Sequence, residues 1–597
     1  MCGYFFYIKR NNKNKISINK NKINFIRKIL IKRGPDNFSK IIKEDYSLIF
    51  SRLSIIDPDK ISNQPFTDSE KRFILIFNGE IYNYKNLKKK LQKENYKFKT
   101  NSDTEVLFTL LKYKGIDETL KSIEGMFSFI FFDKDKKSFI GARDHFGQKP
   151  FYYSKDINGF TASTNIKTIA CLKKTILLNR PICDYYLASS GILPIKNTVI
   201  KGIYSLPAGN YIYGNSNKLI TKEYFSPEKL VDKKLYNLNK NKSESFILKQ
   251  LEKKIKKSIK KHLVSDVEIA STLSGGIDSS LIVYYLNKIN SKIKTFTNFS
   301  EKIESIPKLA VPRIIKKIKF NKKNFFSIKN YPKNYLKKMI SLITNSFSPS
   351  RWGGGVPMSY LCNKVKSKKI KVLLGGDGVD EYCSGYMTFF ETLNKNSKLH
   401  SIVDINKNNP FYKKRSKFLK KVIIENYKKK INKNIKHLNS FEKKILINNL
   451  IDTKFFLQSC TLPHNDEYSM NESVEMRNPY IDLDLIKFVL NLRAKFKIQS
   501  KNKPINKYIF RKLAIRKIGK VMDLPKEGTR NFSKFISDIK YWRMEKFYFY
   551  KKKYNKNLDF KTIFKLINLE ILYRYINDKK FNYKLLLTQE GKKFLIK

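Results

Sequence analysis

Cys2 of "MCGYFF" has more chemistry open to it than any other residue of the sequence. Removal of Met1 would leave it with a thiol and an α-amine on one residue. That amine titrates near ~8 against ~8.5 for a free thiol, so it can act as general base without a histidine. A nucleophile attacking an amide also needs donors aimed at the developing oxyanion. "FNGEIYNY" at 77–84 offers the side-chain amide of Asn78 and the backbone N–H of Gly79. Arg52 in "SRLSIID" and Asp103 in "NSDTEV" are one cation and one anion, the pair needed to grip a free amino acid by its carboxylate and amine. Taken singly, a lone cysteine reads first as a core residue, "NGE" as a turn, and an isolated Arg or Asp as a solvated charge.

A second constellation is "LSGGIDSS" at 273–280, between the apolar run "VEIASTL" and the helix-like "SSLIVYYLNKI". A small-residue loop between strand and helix presents backbone N–H groups and hydroxyls to an anion, with the helix dipole assisting. The adjacent glycines and missing lysine set it apart from the GxxxxGK[ST] loop. "KVLLGGDGVDEYCSGY" at 371–386 repeats the strand-to-loop pattern and carries Asp377, Asp380 and Glu381. In a doubly wound sheet two such carboxyl-end loops converge on one crevice. Clustered carboxylates there suit Mg²⁺ on a triphosphate.

These residues require two kinds of scaffold. Up to about residue 225 short apolar runs such as "YSLIFSRLSII" and "MFSFIFFDKD" alternate with turn signals, a β-rich pattern. The polar stretch 226–245 is the best linker candidate, and after it helical patterns alternate with short strands, which predicts a parallel α/β sheet. The expected division is therefore a domain at 2–225, a linker at 226–245, a second domain at 246–540, and a basic, aromatic tail at 541–597 with no assigned role. A length of 597 residues agrees with more than one core.

Six widely spaced cysteines without a CxxC pair and five histidines without HExxH argue against disulfides and a zinc hydrolase. No apolar run approaches the ~18 residues of a membrane span and no signal peptide is evident, so no membrane partner and a cytoplasmic location are expected. The net charge of +71 invites a nucleic-acid reading. Lysine spread along a chain also rich in Asn, Ile, Tyr and Phe reads instead as compositional drift, and no dedicated nucleic-acid function is expected.

"MCG", "RGPD" (33–36), "SRLSIID" (51–57), "QP" (64–65), "FNGEIYN" (77–83), "SDTE" (102–105) and "GARDHFGQKPFYY" (141–153) together resemble the glutamine amidotransferase domain with an N-terminal cysteine. The resemblance implies an Ntn-type αββα sandwich that releases ammonia from glutamine. It makes Cys2 the nucleophile and Asn78 and Gly79 the oxyanion hole. Arg52, Glu80 and Asp103 would hold glutamine, in a pocket that Leu53, Ser54, Ile55 and Ile56 also line.

"SGGIDSS" resembles the pyrophosphate loop of enzymes that cleave ATP to AMP and pyrophosphate. With "LLGGDGVDEY", "DEYSMNESVEMRNPYID" (466–482) and "LPKEG" (524–528) it is similar to the synthetase domain of glutamine-hydrolysing asparagine synthetases. The resemblance implies a parallel-sheet ATP-pyrophosphatase fold. Leu273, Ser274, Gly275, Gly276, Asp278, Ser279, Ser280, Gly375 and Gly376 would meet ATP, and Asp278 and Asp380 would bind Mg²⁺. Asp377 stands where the family has an acid important for adenylate formation, and Lys526 would stabilise phosphate charge. The implied reaction adenylates the aspartate β-carboxylate, and ammonia arriving through an internal tunnel displaces AMP.

Gly375 replaces the serine of "SGEG"-like strings, Glu467 replaces the arginine of "DRxSM", and "NSFSPSRWGGGVP" (345–357), with Arg351, replaces an acidic string. These departures gather around the acceptor carboxylate. A glutamine-dependent amidotransferase acting on another carboxylate, such as a uronic acid of a surface polysaccharide, is therefore the alternative. A homodimer is left open.

Overall fold

In the computed structural model the described residues are 2–10, 18–189, 191–300, 306–330, 335–350, 355–386, 411, 424–432, 435–499, 505–523, 538–549, 558–578 and 581–595. The first part is built on two six-stranded antiparallel sheets. One runs in the order Tyr204–Ser205, Tyr152–Asp156, Gly159–Ser163, Gly3–Lys9, Tyr46–Arg52, Asn37–Ile42. The other runs Leu219–Glu223, Asn210–Gly214, Ser138–Arg143, Gly125–Asp133, Phe73–Ile81, Phe66–Thr67.

"GYFFYIK" is apolar on both faces, and the alternating direction of its side chains sets the layering. Tyr4, Phe6 and Ile8 face inward and pack with Leu48, Phe50, Ile76, Ile130 and Phe132, so the two sheets share one apolar layer. Phe5 and Tyr7 face the other way, against Ile23, Ile26 and Leu30 of helix Lys20–Leu30. Those three lie at i, i+3 and i+7, a single stripe of the helix. On the far side, Phe77, Phe127 and Phe129 meet Val106 and Leu107 of helix Asp103–Tyr113. The result is the expected αββα sandwich. Phe6 is fully buried in its middle, so truncation to alanine would cost about 3–5 kcal/mol.

The second part carries a five-stranded parallel sheet in the order Phe325–Asn330, Lys294–Ser300, Ile269–Thr272, Val372–Leu374, Glu475–Arg477. In chain order this is 3-2-1-4-5, so the order reverses between Ile269–Thr272 and Val372–Leu374. Ligands of open α/β sheets bind beyond the carboxyl ends of the strands at such a reversal. Both loops singled out in the sequence begin there.

Within 226–245 a short 3₁₀ turn, Pro227–Leu230, and helix Lys233–Lys240 pack on the second part: Asp232 N–H donates to Asn491 Oδ1 (2.7 Å) and Asn491 Nδ2 to Leu230 O (2.8 Å). Beyond 541, helix Phe560–Asn577 is buried against Arg180–Ala188 of the sandwich and Tyr335–Ser346 of the second part. Lys565 Nζ donates to Ser189 O at 2.6 Å and also to Leu187 O, closing the end of helix Arg180–Ala188. Among the described residues no helix is long and apolar enough to cross a membrane.

Candidate active site

Cys2 lies just before strand Gly3–Lys9, and its backbone N–H donates to Asn78 Oδ1 at 2.9 Å. That nitrogen becomes the α-amine if Met1 is removed. The Asn78 carboxamide is fully buried, and its Nδ2 meets no acceptor among the described residues. A buried amide donor without a partner is costly unless something is meant to bind it. Gly79 has φ +153°, and a Cβ there would stand 2.0 Å from Met126 O on the neighbouring strand, so only glycine fits. Burial pushes the Cys2 thiol up, against smaller opposing effects of the terminal ammonium, the Leu53 main chain and Arg52.

Arg52 ends strand Tyr46–Arg52. Its guanidinium ties the following loop shut, donating to Asp59 O (2.9 Å), Asn63 Oδ1 (2.9 Å), Ile56 O (3.2 Å) and Asp57 O (2.5 Å). Leu53, Ser54, Ile55 and Ile56 are all buried in that loop, and Ser54 N–H donates to Asp36 Oδ2 of "RGPD" at 2.8 Å. Asp103 occupies the first turn of its helix, where Ser102 caps Glu105 N–H (3.3 Å) and the dipole favours an acid. Its carboxylate accepts from Ile81 N–H at 2.9 Å, but burial still raises it to about 6.

Glu80 is buried, and burial first, then the Glu475 charge, raises it well above the usual carboxylate range. Its counter-charge comes from the other domain: Arg477 Nη2 stands 3.5 Å from Glu80 Oε1, while Arg477 Nε donates to Glu475 Oε1 at 2.5 Å. Burial opposes ionisation of Glu475, yet nearby cations including Arg477 hold it down at about 2.

In the second centre Ser274 Oγ and Ser279 Oγ are 2.9 Å apart, and Ser274 N–H donates to Ser279 Oγ at 3.1 Å. Gly275 has φ +81°, turning the loop into the helix Ile277–Ile289. Leu273 N–H is tied to Phe296 O (2.8 Å), and Ser280 Oγ is buried without a partner among the described residues. A Cβ on Gly376 would lie 2.9 Å from Ser279 N, and one on Gly375 2.8 Å from Asn478 Oδ1, so the two loops are in contact. Asp377 Oδ2 accepts from Asn465 Nδ2 at 2.9 Å.

Asp278 and Asp380 converge on one cation, the ammonium of Lys507, at 2.6 Å and 2.9 Å. Two carboxylates already gathered about a positive centre fit Mg²⁺ in donor type. Glu381 turns away into the core, where Tyr386 Oη (2.8 Å) and Thr461 Oγ1 (3.0 Å) donate to it and burial lifts it to about 8. Lys526 and Arg351 lie outside the described residues.

Four residues of these centres escaped sequence reasoning: Lys507, Arg477, Arg33 and Asp466. Arg33 Nε donates to Cys2 O at 3.1 Å, and its other nitrogens donate to both oxygens of Asp466 at 2.8 and 3.1 Å. Their motifs, "RGPD", "DEYSM" and "EMRNP", were visible, but nothing in the spacing shows that they meet. Between the domains one cavity is lined by both members of this pair, and a second shares Tyr152, Ile166 and Pro463 with it.

Residues 1–225 match the glutamine amidotransferase domain family and residues 250–545 the asparagine synthase family. Asparagine synthetase [glutamine-hydrolyzing] 1 of Bacillus subtilis is 28% identical over 405 residues, 66% of this chain and 60% of that protein. A putative asparagine synthetase of Methanocaldococcus jannaschii is 29% identical, over 62% of this chain and 73% of its own. An amidase of Gibberella zeae is 26% identical over 60% of this chain and 54% of its own. Among solved structures, the glutamine phosphoribosylpyrophosphate amidotransferase of B. subtilis aligns with 49% of this chain and 65% of its own, at 13% identity and a TM-score of 0.28. The chain thus carries a glutamine amidotransferase domain in front of an asparagine synthase domain, and it is similar to glutamine-hydrolysing asparagine synthetases of several organisms.

Proposed function

We propose that the chain hydrolyses glutamine at Cys2 and uses the ammonia to amidate a carboxylate that ATP has activated, with aspartate as the acceptor and asparagine as the product. The observation that carries this reading is the Cys2–Asn78 pair: one oxygen positions the Cys2 nitrogen, and one buried, unpartnered N–H₂ is left for a developing oxyanion.

In the first centre the α-amine takes the thiol proton, and the thiolate attacks the side-chain carbonyl carbon of glutamine. Asn78 Nδ2 and Gly79 N–H stabilise the oxyanion. The C–N bond breaks, the amine's proton goes to the departing ammonia, and water then cleaves the thioester to glutamate. Asp103 and Glu80 face the α-ammonium of glutamine. Arg52 closes the 53–56 loop over the pocket and supplies positive charge toward the carboxylate.

In the second centre a carboxylate oxygen attacks the α-phosphorus of ATP, pyrophosphate leaves, and ammonia attacks the acyl carbon to release AMP. The loop from Leu273 to Ser280 with Gly375 and Gly376 holds the nucleotide, and Asp377 lies beside the acyl group. Asp278 and Asp380 would hold Mg²⁺, which neutralises triphosphate charge when bound. Lys507 shares that role from the protein side, and Lys526 is assigned to the leaving pyrophosphate. Transfer of the ammonia from the first centre to the second inside the protein is part of this reading.

The test is pyrophosphate release from ATP and Mg²⁺ with glutamine, with and without aspartate. Aspartate-dependent release with asparagine formed is expected. Glutaminase activity without aspartate dependence would move the acceptor to another carboxylate, such as a uronic acid.

A further inference from the structure

Helix Leu462–Met470 of the synthetase domain touches both centres through consecutive residues. Neighbouring positions on a helix point about 100° apart, so they reach different partners. Asn465 Nδ2 donates to Asp377 Oδ2 at 2.9 Å. Asp466 accepts both Nη groups of Arg33 in a fork, the geometry that fixes direction as well as distance. The third nitrogen of Arg33, Nε, donates to the carbonyl of Cys2 at 3.1 Å.

Both main-chain polar groups of Cys2 are thus held by side chains, its N–H by Asn78 and its C=O by Arg33. Arg33 and Asp466 are 7% and 5% exposed, so water does not compete for the pair. Neither touches the thiol or the glutamine pocket. Their effect is on the angle at which Cys2 presents its sulfur.

We infer that Asp466 is a positioning residue for the amidotransferase nucleophile, contributed by the synthetase domain, and that helix Leu462–Met470 links its setting to the Asp377 loop. This rests on the glutaminase reading of Cys2. An error of about 1 Å in such a nucleophile costs on the order of 100-fold in rate. Because glutamine is gripped elsewhere, the loss falls on kcat and not on KM.

The experiment compares Asp466→Asn, Arg33→Lys and Asn465→Ala with the wild-type full chain. Glutaminase kcat and KM are measured, together with the rate at which iodoacetamide alkylates Cys2, followed by peptide mass. Asp466→Asn and Arg33→Lys are expected to lower kcat by about 10- to 100-fold with glutamine KM unchanged, and to change the alkylation rate of Cys2. Arg33→Lys keeps the charge opposite Asp466 but cannot reach both partners, so it stands if Asp466→Asn fails to fold. Asn465→Ala is expected to keep the ATP-free alkylation rate and to lose the change that ATP with Mg²⁺ produces in wild type. Variants whose kcat and alkylation rates equal wild type would overturn the inference, as would a wild-type Cys2 whose alkylation ignores ATP. A wild type without glutaminase activity would defeat the functional reading instead, and the alkylation rates would still decide the positioning of Cys2.

Discussion

Arg477 of the synthetase sheet reaches Glu80 of the amidotransferase strand at 3.5 Å, with the Glu475 carboxylate on its other side at 2.5 Å. The guanidinium also donates to His262 O (2.9 Å) and Val264 O (2.6 Å), so one fully buried side chain ties two acids and two main-chain carbonyls together. Removing it would take from the buried Glu475 and Glu80 the cation that contacts them directly. Arg477→Met is expected to lower unfolding free energy by about 3–5 kcal/mol, read from urea denaturation. Arg477→Lys should recover little, because one ammonium cannot serve four partners in a plane.

Asn78→Asp separates the two roles of that side chain. The oxygen facing the Cys2 nitrogen is kept and the oxyanion donor is lost. Glutaminase kcat should fall about 100- to 1,000-fold with glutamine KM little changed, while pyrophosphate release driven by added ammonia persists. Equal loss of both activities in steady-state assays would contradict this assignment.

The acid limb of the glutamine reaction should report Asp103. Burial raises it to about 6, so it is neutral below that pH and cannot pair with the glutamine ammonium. Acidification therefore weakens binding, and kcat/KM for glutamine should fall by about tenfold per pH unit below the midpoint. Asp103→Asn should lower the plateau and remove that limb. A pH profile with the same limb in the variant would assign it to another group.

Lys507 stands between Asp278 and Asp380 and holds the two carboxylates about one ammonium. Lys507→Met should lower the unfolding temperature. Millimolar Mg²⁺ should then raise it more than in wild type, because the ion replaces the lost ammonium and stabilises by mass action. Calorimetry with and without Mg²⁺ distinguishes this from a general packing defect, which the ion would not correct.

The β-rich character of the first part was legible because short apolar runs such as "MFSFIFFDKD" alternate with turn signals, its sandwich form came through the family resemblance, and the nucleotide crevice was legible because "LSGGIDSS" and "LLGGDG" each end a strand. Cys2 and Asn78 could be paired from their chemistry alone. Arg33 and Asp466, 433 positions apart, could not: their partnership arises from how two finished domains dock, and local spacing carries no trace of that. Lys507 was hidden differently, as one basic residue among 122. What distinguishes it is burial beside two acids, with a left-handed backbone (φ +47°) aiming it there. The aromatic residues after 541 read as a tail because their periodicity is weak, yet Trp542, Phe547 and Phe564 are buried together in one core.

The order in which a ribosome makes this chain gives the docking a temporal meaning. Cys2, Asn78 and Asp103 are synthesised within the first fifth of the sequence, but Asp466 and Arg477, which set Arg33 and Glu80, emerge only after most of the second domain. A nascent chain therefore carries Cys2 and Asn78 early and the side chains that hold Arg33 and Glu80 late, and under the proposed function glutaminase activity is expected to reach its full rate only after the second domain has been translated.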